Sequence, residues 1–510
     1  MSSGKILKAL AVALITWSIG CLAWVISQRI GYVFALEWME GGMLQHVDQV
    51  RQGRDLYGPP SVDFTPFPYP PLFPWLASWL PGESWSFVGP RLLAFAGYVG
   101  VGGCLWFLAR RSGNRPLYAA MGVAVWAGGF AFGGGWYDVA RADGLALFLH
   151  LAGVCLLWGE RGGKRIVLAG VLFLLAGLAK QVGWPLGVLC AIAYTWQEKP
   201  GARQLWATLV IGGITLNWAI PSLFGEWAHF YIFDVLAGHP VGVSWAVWSS
   251  ALAGVALGLL LALWVLVRAF GGGSSLHKQA PMIAALLLGW LLVYVMGSIH
   301  AGAYDNVRLP LLLAAAFGVA FAGTIVGELG GPWKAMESAV LGLCVVQLAM
   351  LIYDPRPWTP SDEYTARNQT LEQHIAQDKG PVFAPGHGYL LERNRKSSSF
   401  HWMALFDLSA TGEGEWGRAL VEGVERRFGQ GHYRWAVPDR PTGEGASQMD
   451  VSGWMDGFFS NIEPLRGGTE GERRSEGRDG RSPAAPPSGA PWRPLPRRTQ
   501  PILSSGMDTL

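Results

Sequence analysis

Long apolar runs separated by short polar ones set the pattern of this chain. Residues 9–28 (ALAVALITWSIGCLAWVISQ) form one unbroken run, long enough as a helix to cross the hydrocarbon core of a bilayer. Further apolar stretches occupy 87–109, 117–133, 143–159, 166–180, 184–196, 205–223, 243–268, 281–299, 309–328 and 336–353. The pattern predicts about eleven membrane helices. The pair 166–180 and 184–196 is short, and its alternative is one long helix broken near Pro185. No small-residue cleavage site follows the first run, so it reads as an anchor and not a signal peptide.

After Tyr353 the pattern changes. Residues 354–460 are polar and mixed, with short apolar runs such as Pro381-Val382-Phe383 and Met403-Ala404-Leu405-Phe406. Residues 466–510 are rich in Gly, Arg, Pro and Ser, a composition that cannot bury enough apolar surface to offset its ordering entropy. The expected organisation is a membrane part, 1–355, whose first outer loop is 29–86, then a C-terminal region, 356–465, and a disordered tail, 466–510. The expected fold class is an all-α polytopic membrane protein with a small extracytoplasmic α/β region.

Composition agrees with this reading. The chain is 51% hydrophobic and 15% charged, against about 25% charged for an ordinary soluble domain. A net charge of +3 gives no case for a nucleic-acid partner. Cys21, Cys104, Cys155, Cys190 and Cys344 all fall in apolar spans, with neither metal-ligand nor disulfide spacing. Positive charge recurs in alternate loops: Arg110, Arg111 and Arg115; Arg161, Lys164 and Arg165; Lys199 and Arg203; Arg268 and Lys278; Lys334. With Lys5 and Lys8 at the N-terminus, this marks that side as cytoplasmic. The first loop and the C-terminal region are then expected outside.

Candidate chemistry gathers on the outer side. Glu37 and Glu40 follow the first helix and are three apart, a spacing that on a helix shares one face. Gly41 and Gly42 leave room for a close approach to the backbone. A carboxylate there can serve as a general base or simply mark the end of the span. Asp138 and Arg141 lie at the outer start of the fourth helix, three apart, and either pair locally or leave Arg141 free for an anionic lipid head group. Lys180 sits between two short helices, and Arg308 opens a later one after Asp305 and Asn306. Each cation alone suits a snorkelling role at the interface; three together, near acids, favour a bound phosphate. His239 and His300 are outer-loop histidines for which local partners are the simpler expectation.

Several motifs follow in a fixed order. The acidic first loop continues through Gly53-Arg54-Asp55-Leu56-Tyr57 to Tyr69-Pro70-Pro71-Leu72. Ala140-Arg141-Ala142-Asp143 comes next, then Lys180-Gln181, then Asn306-Val307-Arg308-Leu309-Pro310. In this order and on this membrane side they resemble the bacterial integral-membrane glycosyltransferases of the GT-C superfamily. The similarity is to the family-39-like group of protein mannosyltransferases and the aminoarabinose transferase, over roughly residues 1–355. The resemblance implies a GT-C-like membrane domain in a bacterial cytoplasmic membrane. It also implies transfer, with inversion, of a sugar from a polyprenyl-phosphate donor to a hydroxyl of a glycan, lipid or protein acceptor. By the same resemblance Glu40 is the base, with Glu37 as alternative or acceptor-positioning partner. Arg141, Asp143, Lys180, Asn306, Arg308 and Tyr69 are implied to bind substrate. Many relatives carry Asp-Glu where this chain reads Met39-Glu40. No metal-ligand set is expected, while a divalent cation is compatible with the chemistry. Two other classes stay open on sequence: a non-catalytic scaffold of envelope assembly, and a lipid-linked sugar transporter.

Overall fold

The computed structural model describes residues 3–437 apart from short gaps at 81, 83, 160–162, 240, 243–244, 301–303, 330–335 and 412–413. The expected tail, and the part of the C-terminal region from 438 to 465, lie outside the described residues. The membrane part is built from α1 (Ser3–Arg29), α4 (Val88–Arg111), α5 (Pro116–Gly128), α6 (Asp143–Leu157), α7 (Lys164–Ala179), α8 (Gly183–Trp196), α9 (Ala202–Phe224), α10 (Trp245–Phe270), α11 (Ala280–Ile299), α12 (Leu309–Glu328) and α13 (Met336–Ala349). The first loop holds α2 (Glu40–Arg51) and α3 (Leu72–Ser78), and the C-terminal region holds α14 (Asp362–Gln377), α15 (Gly388–Arg393), α16 (Trp402–Ser409) and α17 (Glu415–Gly429). Each expected span coincides with a helix. Among the described residues, six are long and apolar enough to cross a membrane, and α5, α6 and α13 are shorter apolar helices. The protein is an all-α polytopic membrane protein.

The bundle is organised around α12, whose residues from Leu309 to Val326 are all buried. Small residues let its neighbours approach closely. Gly122 of α5 packs on Ala316 and Ala320, Gly258 of α10 on Ala315, and Gly318 of α12 on Ala262. Gln347 of α13 is fully buried: its amide oxygen accepts from Gly258 N at 2.8 Å and its NH2 donates to Gly254 O at 3.1 Å. A side chain that satisfies both backbone groups can sit in an apolar core at little cost. At the periphery, α9 presents Val210, Ile211, Ile214 and Trp218 outward, as a lipid-facing helix does.

The α7/α8 pair is two helices. The break falls at Lys180–Val182 and not at Pro185, which sits harmlessly in the first turn of α8. Lys180 adopts an extended backbone, and the Gln181 amide donates to Pro68 O at 2.6 Å and Ile232 O at 3.1 Å. The interruption is therefore pinned both to the first loop and to a π-helical turn at Phe230–Val235.

Outside the bundle, α2 is buried along nearly its whole length. It lies beneath the C-terminal region, whose only pairing of strands among the described residues is the two-residue parallel Val382–Phe383 and Trp435–Ala436. The glycines explain how close that approach is. A Cβ on Gly41 would stand 2.5 Å from the Tyr389 ring, and one on Gly42 would stand 3.1 Å from the His401 ring. Arg427 of α17 grips both oxygens of Asp63 at 2.6 and 2.8 Å, and Phe400 N donates to Val62 O at 3.0 Å. One hydrophobic cluster runs from Met39 and Met43 through Phe67 to Phe383, Trp402 and Leu420, so first loop and C-terminal region share a core.

Candidate active site

Glu37 and Glu40 do not share a helical face. Helix α2 begins at Glu40, and Glu37 lies in the preceding turn, closed by Glu40 N donating to Glu37 O at 3.0 Å. The two carboxylates consequently meet different partners. Glu40 is fully buried against Arg91 of α4, also fully buried. Arg91 Nε donates to Glu40 Oε1 and Arg91 Nη2 to Oε2, each at 2.8 Å. Ala140 N donates to Oε1 at 2.9 Å and Leu36 N to Oε2 at 2.7 Å. Both oxygens of Glu40 thus already accept two hydrogen bonds each. The guanidinium is equally committed, with further bonds to the carbonyls of Arg29, Tyr32 and Phe34.

Glu37 is far less engaged. Its Oε2 accepts from Met39 N at 3.1 Å and lies 4.0 Å from Arg141 Nη1. Its Oε1 is buried without a hydrogen-bond partner. Burial pushes its carboxyl up to about 7, against the pull of Arg141 and the Met39 amide, while repulsion from Glu40 and Asp143 adds less.

Arg141 faces this acid from the segment before α6. Its guanidinium donates to the Tyr69 hydroxyl at 2.8 Å, meets Met39 Sδ at 3.0 Å, and lies over the rings of Trp136 and Tyr69 at 4.8 and 5.1 Å. It does not pair with Asp138. That carboxylate meets Arg29 at the end of α1 instead, at 3.0 Å, and burial pushes it up to about 6. Asp143, on the first turn of α6, accepts from Lys180 Nζ at 2.5 Å and from the Asn306 amide at 3.0 Å. The break between α7 and α8 is what lets Lys180 reach it.

The fold therefore brings Glu37, Arg141, Tyr69, Asp143, Lys180 and Asn306 together from five separate segments. Arg308 is not among them. It pairs with Asp305 at 3.0 Å and lies over the Phe132 ring at 5.7 Å. Several residues that shape the site escape sequence reasoning. Arg91 had a signal: it is the one charged residue in the apolar run 87–109, and an ionisable residue inside such a run calls for a buried partner. Trp402, stacked on Trp38 at 4.6 Å, and Asp407, 3.1 Å from His239, had none, because only the docking of the C-terminal region brings them near. Among the described residues no group of three or more His, Cys, Asp or Glu is placed to hold a metal ion.

No protein-family model matches the chain, and no curated protein sequence matches it significantly. In structure the chain is similar to ArnT from Cupriavidus metallidurans, crystallised in the apo state, at 14% sequence identity and a TM-score of 0.45. The overlay covers 77% of this chain and 85% of ArnT. At that level the likeness speaks to neither substrate nor mechanism.

Proposed function

We propose that this protein is a membrane glycosyltransferase of the GT-C type. It would move a sugar from a polyprenyl-phosphate carrier to an acceptor hydroxyl, with Glu37 in place of Glu40 as the base. The observation that carries the reading is the buried, unpartnered Oε1 of Glu37 beside Arg141 and near the Asp143–Lys180 pair. A general base needs a free lone pair and a pKa near the working pH; Glu37 has both, whereas the lone pairs of Glu40 are used by Arg91, Ala140 and Leu36.

In the proposed step the acceptor oxygen attacks the anomeric carbon from the face opposite the phosphate, and its proton passes to Glu37 Oε1. The bond between the anomeric carbon and the phosphate oxygen breaks, its electron pair leaves with the phosphate, and the configuration inverts. Arg141 and Lys180 stabilise the charge on the departing phosphate, as preorganised cations in a site shielded from water do. Asp143 holds Lys180 in place. The site would face the outside of a bacterial cytoplasmic membrane, with the N-terminus cytoplasmic, as the alternation of Lys and Arg suggests.

The test is turnover of polyprenyl-phosphate-linked sugars by the purified protein in lipid vesicles, read as release of polyprenyl phosphate in the presence of candidate acceptors. Release that is abolished in Glu37→Gln supports the reading. Release unaffected by that substitution moves the base elsewhere, and no release from any donor favours the scaffold. Movement of donor across the vesicle membrane without cleavage favours the transporter.

A further inference from the structure

The acidic turn that carries Glu37 is held from above by a histidine of the C-terminal region. His401 caps α16: its Nδ1 accepts from Met403 N at 3.1 Å, which fixes the tautomer with hydrogen on Nε2. That Nε2–H then donates to the carbonyl of Trp38, the residue next to Glu37, at 2.9 Å. The ring is 2% exposed and packed among Trp38, Phe67 and Trp402, and it passes directly over Gly42. A second histidine ties the first turn of α2, which follows directly, to the first loop. His46 Nδ1 donates to Gly42 O and Nε2 accepts from Phe67 N, both at 2.7 Å. The stretch from Trp38 to Gly42 is thus clamped between the first loop and α16.

We propose that His401 is a positioning residue for Glu37, through which the C-terminal region takes part in catalysis instead of only covering the membrane bundle. This rests on the reading of Glu37 as the base. The physical argument is one of placement. Glu37 keeps its unusual character only while its carboxyl stays out of water, and its own backbone lies in the turn before α2, fixed on one side by the Glu40–Arg91 pair. At the Trp38 carbonyl the C-terminal region grips the other side of that turn through a hydrogen bond. Releasing it would let water reach Glu37 and let its carboxyl leave the Arg141 side of the site. The charged and titratable groups facing Glu37 are Arg141, Asp143 with its partner Lys180, Glu40 with its partner Arg91, and Tyr304.

Two substitutions separate the roles of the ring nitrogens. His401→Asn keeps a capping oxygen for Met403 N, a good cap in its own right, and loses the reach to Trp38. His401→Gln keeps a donor able to reach Trp38 and loses the cap. Expected for His401→Asn is a folded protein whose kcat falls by about 10- to 100-fold, the range for a small misplacement of a reacting group, with KM for donor little changed. His401→Gln should recover most of that loss. A readout independent of turnover is modification of Glu37 by dicyclohexylcarbodiimide, which attacks protonated carboxyls in apolar surroundings, followed by mass spectrometry. The pH midpoint of labelling should move lower in His401→Asn and return in His401→Gln. A parental midpoint in His401→Asn overturns the proposal, as does loss of folded protein in both variants, which would assign His401 to the fold alone. If labelling shifts as expected while the parent turns over no polyprenyl-phosphate sugar, the positioning stands and the transferase reading falls.

Discussion

Arg91 of α4 holds both carboxylate oxygens of Glu40 at 2.8 Å, with neither residue exposed to solvent. Every guanidinium N–H is used, three of them by backbone carbonyls at the end of α1 and just after it. One buried ion pair thus joins the end of the first helix, the start of α2 and the start of α4. Glu40 also accepts from Ala140 N, so the segment carrying Arg141 is tied to the same point. The pair sets the place of the acidic turn relative to the cations opposite it.

Removing one partner of such a pair leaves an uncompensated buried charge, at a cost of about 3–5 kcal/mol. Arg91→Met and Glu40→Gln should therefore both lower the thermal unfolding temperature of the detergent-solubilised protein, followed by tryptophan fluorescence. Arg91→Met together with Glu40→Leu should be less harmful than either single change, because no charge is then stranded. A Glu40→Gln protein as stable as the parent, yet without turnover, would return the role of base to Glu40.

Glu37→Gln removes the proton acceptor and keeps the shape. Loss of a general base lowers turnover by about 10²-fold or more, and here the protein should remain folded with donor binding intact. The parent's rate should also rise with pH around neutrality, since the base works only when deprotonated and its carboxyl is pushed up to about 7. A pH–rate profile of kcat from pH 5.5 to 8.5 checks this. A profile flat across that range would remove Glu37 from the proton transfer.

The spans were legible because a bilayer demands long apolar runs, and each expected run became a helix. What the runs could not say is which of them stands in the centre. Helix α12 looks like its neighbours in hydropathy, and only its packing against Gly122 and Gly258 shows why it is wholly enclosed. Glu37, Arg141, Lys180 and Asn306 were legible as polar residues at the outer ends of apolar runs. The partition of work between Glu37 and Glu40 was not, since a spacing of three shares a face only if the helix includes both residues, and α2 starts at the second. Arg308 was read with the other cations by position alone. The adjacent Asp305 was in plain view, and their ion pair turns Arg308 aside. His401 and Trp402 lie more than 350 residues from the turn they grip, and no local pattern carries a contact of that range.

The cations can be ranked by a binding experiment. Undecaprenyl phosphate, titrated into nanodisc-embedded protein, should bind more weakly to Arg141→Gln and to Lys180→Gln. Loss of a charge-assisted contact to phosphate costs about 1.5–3 kcal/mol, or roughly 10- to 150-fold in Kd. Arg308→Gln should change little, as its charge is already spent on Asp305. Equal weakening in all three would mean that Arg308 swings into the site when the lipid arrives. No weakening in any would place the phosphate elsewhere.

The acid with the raised pKa also leaves a signature in stability. The ordinary value for the Glu37 carboxyl is 4.5, and burial carries it to about 7 in the folded protein. Between those values the folded state holds a proton that the unfolded state has released, so stability falls as pH rises through that window. Below it both states are protonated and the residue has no effect; above it the full penalty applies. A shift of this size corresponds to a penalty on the order of 3 kcal/mol. Gln at position 37 cannot ionise and escapes that penalty. Glu37→Gln should therefore match the parent in thermal unfolding at pH 4.5 and exceed it at pH 8, while being the slower enzyme at pH 8. Unfolding curves for the two proteins at both pH values test the sign directly. A variant that is less stable than the parent at pH 8 would show that Arg141 stabilises the ionised carboxylate by more than its burial costs. Glu37 would then be a structural ion-pair partner and not a base held ready for a proton.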